Sequence, residues 1–122
     1  MTVEDFVRNL KIQTSDAAVK GVIKNLENPP GRKASSEMVA SSEWFLGLDA
    51  SDKAALQRAL KDAAELAVFS FLCVLDGVSV IENDHDQGDF ELFFVKNGER
   101  LRLNDPSRDE LHDLYNAACC EE

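Results

Sequence analysis

From Leu56 to Leu75 the side chains Leu56, Leu60, Ala63, Ala64, Ala67, Val68, Phe71, Leu72 and Leu75 return every three or four residues, and at Gly77 that rhythm stops. A repeat of this period, sustained over this length, specifies an amphipathic α-helix. The spacing predicts one over about 51–76. Gln57, Arg58, Lys61, Asp62 and Glu65 oppose the stripe in its first half, whereas Leu66, Phe69, Cys73 and Val74 make the second half apolar all round. The helix is therefore expected to run from a solvated surface into the fold, with Leu66 to Leu75 as its buried centre. That run is about half the ~20 residues needed to cross a bilayer and contains Ser70, so it reads as core. Gly77 suits the left-handed position that closes a helix.

Beyond Gly77 the pattern becomes that of strands. Three are expected, at about 78–82, 90–96 and 99–104, with the near-continuous apolarity from Leu92 to Val95 marking the central one, and Asn97-Gly98 supplies the positive φ of a two-residue type I′ turn. That turn sets Lys96 opposite Glu99, Val95 opposite Arg100, Phe94 opposite Leu101, Phe93 opposite Arg102 and Leu92 opposite Leu103. One face is then wholly apolar, and the other carries Phe93 and Val95 beside Arg100 and Arg102. Asp105-Pro106 and Ser107-x-x-Glu110 mark the start of a last helix, at about 106–118, with Leu111, Leu114, Tyr115 and Ala118 as its stripe.

Upstream, Thr2-x-x-Asp5 is a capping pattern for a first short helix. Thr14-Ser15-Asp16 offers capping oxygens for a second one, which ends at Asn28-Pro29-Pro30-Gly31, so the two are expected to form a helical hairpin. Residues 28–36 combine breakers, small residues and Arg32-Lys33, and are expected to be a flexible loop, a candidate hinge. A helix from about Ser36 to Leu46 follows, with Trp44 as its core anchor. The whole reads as an α+β single domain (1–122) of four to five helices around the central helix, with a three-stranded antiparallel β-meander and a C-terminal helix.

Net charge is −10. Residues 1–48 carry six basic and six acidic side chains, whereas residues 49–122 carry seven and seventeen, and five acids without a base lie between Glu82 and Glu91. Such a field repels nucleic acid and anionic membranes and attracts a basic protein. The acidic start, Glu4-Asp5, is unlike a basic secretory leader, and the expected location is cytoplasmic. Cys73, Cys119 and Cys120 lack zinc spacing, and the adjacent pair permits only a strained bridge.

No catalytic residue, cofactor or metal is assigned from these patterns. Asp84, His85, Asp86 and Asp89 are the candidate cation ligands, although a loop beginning at Asp84 has Gly88, Asp89 and Val95 where an EF-hand needs Asp or Asn, Gly and Glu. Asp76 sits where the helix dipole disfavours a carboxylate; a hydrogen bond into the next turn or a position at a pocket mouth accounts for it. His85 and His112 are the only imidazoles. The expected function is that of a small acidic interaction domain of the inhibitor or immunity type, using Phe93, Val95, Arg100, Arg102, Glu82, Asp84, Asp86 and Asp89 against a basic protein. The alternatives are an enzyme or divalent-metal protein built on Asp84-His85-Asp86, in which Asp76 and His112 surround the same pocket, and a homo-oligomer, such as a homodimer, through the Phe93 face.

Overall fold

The computed structural model describes all residues except Arg32, Asp84 and Glu122. The first helix opens on a reciprocal capping box: the Thr2 hydroxyl accepts the Asp5 N–H (3.0 Å), and the Asp5 carboxylate accepts the Thr2 N–H (3.2 Å). α1 (Val3–Lys11) does not stop at the Thr14-Ser15-Asp16 cluster. It widens into a π turn (Ile12–Asp16) and continues as α2 (Ala17–Glu27). The hydroxyls expected to cap a second helix bond backwards instead, Thr14 to the Leu10 carbonyl (2.6 Å) and Ser15 to the Lys11 carbonyl (3.1 Å). Hydroxyls that compete for helix carbonyls in this way loosen a turn without ending it. The expected hairpin is thus a single rod.

α3 (Ser36–Leu46) is capped by the Ser35 hydroxyl and tied to α2 by the Ser42 hydroxyl, which donates to the Leu26 carbonyl at 2.6 Å. It buries Phe45, with Lys53 Nζ 5.2 Å from the ring centroid. Trp44, expected as the anchor, is 56% exposed. α3 packs chiefly on α2, and one residue's rotation about a helix carries the neighbouring side chain to solvent.

α4 (Ala50–Leu75) begins at Asp49, which accepts the Asp52 N–H at 2.8 Å, and ends in a Schellman closure: Gly77 N–H to the Val74 carbonyl, Val78 N–H to the Cys73 carbonyl, and Gly77 at φ 77°. Its second half is not the buried centre that its composition suggests. Leu72 and Cys73 are buried, but Leu66 is 64% and Phe71 60% exposed. Because α1 and α2 form one rod, no N-terminal hairpin folds back over the outer face of α4. α2 packs on α3 and on α4, the π turn and α5 also pack on α4, and α1 packs on α5.

Two strands form the sheet among the described residues, β1 (Phe93–Lys96) and β2 (Glu99–Arg102). Their antiparallel register is the one that the Asn97-Gly98 turn dictates, with φ 52° and 79° at those positions. The expected strand at 78–82 is absent. The Schellman closure consumes the Val78 N–H, the Ser79 N–H also goes to the Cys73 carbonyl (3.2 Å), and Val78, Val80 and Ile81 are exposed. α5 (Leu111–Cys120) begins later than the expected position 106, because Asp105 and Ser107 form a separate turn in which the Asp105 carboxylate accepts the Ser107 N–H and hydroxyl. Val3, Val7, Leu72, Leu103, Leu111 and Tyr115 form the core, with Leu92, Phe94 and Leu101 of the hairpin packed onto it. Among the described residues no helix is long and apolar enough to cross a membrane.

Candidate functional site

Two helix termini meet at Asp76. As the last turn of α4 closes, it delivers the Asp76 carboxylate, 3% exposed, to the first turn of α5. Its Oδ2 accepts the backbone N–H of His112 at 2.9 Å and lies 2.7 Å from ring Nδ1. An acid misplaced on the dipole of α4 is therefore well placed on that of α5, whose Glu110 N-cap makes no side-chain cap bond. Glu110 Oε2 lies 3.3 Å from His112 Nδ1, and Asp113 Oδ1 3.4 Å from Nε2. The edge of Phe69 steadies the ring, at 5.6 Å between centroids and 80° between planes. Asp76, Glu110 and His112 each present one ligand atom, all within 4.8 Å of one another.

A cleft of ≈350 Å³ adjoins this cluster, lined in part by Asp76, Asp89, Glu91, Asp105 and Glu110, with Arg102 as its basic residue. Asn104 braces the wall. Its amide donates to the Leu75 and Phe90 carbonyls, both at 2.8 Å, and its oxygen accepts the Leu92 N–H at 2.8 Å, so α4, the approach to β1 and the end of β2 are joined by one side chain. Cys73 offers no activated nucleophile here: burial, then Asp76 and its acidic neighbours, push its thiol up.

On another side, Phe6, Leu10, Val68, Phe71, Leu75 and Leu92 line an open apolar groove of ≈480 Å³ between α1, α4 and the segment entering β1. Leu75 and Leu92 bracket the loop that carries Glu82, Asp86 and Asp89, all exposed. His85 is exposed in that loop, and Asp84 lies outside the described residues. Among the described residues, the ligand atoms that converge belong to Asp76, Glu110 and His112. Their convergence depends on contacts between residues 36 positions apart, with only the awkward place of Asp76 to signal it in the sequence.

The Phe93, Val95, Arg100 and Arg102 face points away from the core. Arg100 stacks over Phe93 at 4.3 Å from the ring centroid, Arg102 reaches Glu91 at 3.6 Å, and Val95 is exposed. A second polar cluster lies at the π turn. Buried Lys11 holds Asp16 at 3.0 Å, and the Tyr115 hydroxyl donates to Ser15 at 2.7 Å. Burial pushes the Tyr115 phenol up to about 12 and, with Glu65 beside it, the Cys119 thiol up to about 11.

No known family, curated protein or solved structure matches this chain.

Proposed function

We propose that this protein is an interaction domain that seats an amphipathic, basic segment of another protein in the groove between α1 and α4. The supporting observation is the uncovered apolar surface. A globular chain of 13.5 kDa is expected to expose ~6500 Å², whereas this one exposes 8714 Å². A groove with Phe71 at its rim is suited to the apolar face of a helix. The acidic loop hinged at Leu75 and Leu92 supplies the complementary charge for lysines or arginines on the other face, through Glu82, Asp86 and Asp89.

The test is titration of the labelled full-length protein with a synthetic helical peptide of alternating leucine and lysine faces, beside a glutamate counterpart of the same apolar pattern. The basic peptide binds, weakens as salt rises, and loses at least tenfold in affinity to Phe71→Asp and severalfold to the combined Asp86→Asn, Asp89→Asn variant. Equal binding of both peptides, or indifference to Phe71→Asp, overturns the reading.

A second reading is self-association, favoured by the same excess of surface and by exposed Val95 beside the Arg100–Phe93 stack. Light scattering separates its two faces. A dimer lost in Phe93→Asp uses the hairpin, one lost in Phe71→Asp uses the groove, and a monomeric wild type removes this reading.

A further inference from the structure

We infer that Asp76, Glu110 and His112 form a binding site for one divalent first-row transition ion. The inference does not rest on the interaction role proposed above. His112 has a carboxylate at each ring nitrogen, Asp76 at 2.7 Å from Nδ1 and Asp113 at 3.4 Å from Nε2. A neutral imidazole has one N–H and one lone pair, so it can donate to only one of them. Metal-free, that donor is Nδ1–H to Asp76 at 2.7 Å; when an ion binds, the proton stands on Nε2 facing Asp113 and the Nδ1 lone pair joins the Asp76 and Glu110 oxygens around the ion.

The distances fit such an ion. Neighbouring ligand atoms around a metal at ~2.0–2.2 Å stand roughly 3–3.4 Å apart; Nδ1 lies 3.3 Å from the Glu110 oxygen, and its 2.7 Å to the Asp76 oxygen has to widen by a few tenths of an ångström when an ion replaces the shared proton. Asp113 then takes the part of the outer carboxylate that orients a metal-bound histidine, and the His112 backbone N–H orients Asp76. One imidazole and two carboxylates favour Zn²⁺, Mn²⁺, Fe²⁺ or Co²⁺ over the all-oxygen preference of Ca²⁺. The acidic cleft beside the cluster draws cations in and leaves room for water on the remaining coordination positions. The site shares no residue with the Asp84-His85-Asp86 segment.

The experiment uses chelator-treated full-length protein titrated with Co²⁺, Zn²⁺ and Mn²⁺, followed by calorimetry and, for Co²⁺, by visible absorption. One ion binds per chain, and zinc moves the His112 ring proton from Nδ1 to Nε2 in nitrogen-resolved NMR. Glu110→Gln weakens binding at least tenfold without altering metal-free unfolding, since Glu110 is 46% exposed. His112→Gln removes binding, Asp113→Asn weakens it severalfold, and His85→Gln with Asp86→Asn leaves it unchanged. The inference is overturned by absence of stoichiometric binding, by equal binding in Glu110→Gln and wild type, or by loss of binding in the loop variant.

Discussion

The Asp76 carboxylate receives His112 twice through a single oxygen, 2.9 Å from the backbone nitrogen and 2.7 Å from ring Nδ1. The end of α4 and the start of α5 are therefore held in register by a buried charge with two donors. Asp76→Ala orphans the first turn of α5 and is expected to cost ~2–4 kcal/mol in metal-free urea unfolding. Glu110→Ala, at the exposed edge of the same cluster, should cost less than ~0.5 kcal/mol. Equal losses in the two variants would mean that Asp76 does not bear this load.

Leu72 and Phe71 are sequence neighbours with opposite fates. Leu72→Ala opens a cavity in the core and is expected to cost ~3–4 kcal/mol, whereas Phe71→Ala, at 60% exposure, should change stability by ~0.5 kcal/mol or less in the monomer. Chemical denaturation of the pair at low concentration checks this orientation of α4.

Asn104 spends both amide hydrogens on carbonyls of other segments, Leu75 and Phe90. Asn104→Asp keeps the acceptor but removes those donors and adds charge to an acidic wall. A loss of ~3 kcal/mol or more is expected, with faster hydrogen exchange at Leu92, whose N–H depends on the same side chain. Unchanged exchange at Leu92 would show that the brace is dispensable.

Tyr115 is the only tyrosine, so its phenolate absorbance is unambiguous. Its folded pKa, pushed up to about 12 by burial, exceeds the ordinary value of 10. The folded state therefore holds a proton that the unfolded state releases first. The corresponding stability is fully present below pH ~10 and is lost as pH rises towards ~12. Tyr115→Phe should cost ~1 kcal/mol at neutral pH through the lost bond to Ser15, and its alkaline decline should be shallower than that of wild type. Parallel declines would contradict this account.

The thiols separate by burial. Cys120 is exposed, whereas Cys73 is buried and Cys119 half-buried, with both of their thiols pushed up. Brief alkylation at neutral pH followed by mass spectrometry should find Cys120 modified first, since the thiolate is the reacting form. Labelling of Cys73 at the same rate would imply that the end of α4 opens readily.

Local chemistry made much of this protein legible in its residues. The Thr2 and Asp5 capping box, the α4 period, the closure at Gly77 and the Asn97-Gly98 register all depend on residues within a few positions of one another, and each was readable one-dimensionally. Tertiary structure alone decided the rest. Whether Thr14 and Ser15 start a helix or loosen one depends on which carbonyls their hydroxyls reach, and that choice turned an expected hairpin into a rod. The rod in turn left Leu66 and Phe71 uncovered, an outcome that apolar composition does not reveal, because burial is a property of what arrives from elsewhere in the chain. The same holds for Asp76 and His112: nothing local distinguishes an acid at a helix end from a ligand until a second helix terminus is brought within hydrogen-bonding distance.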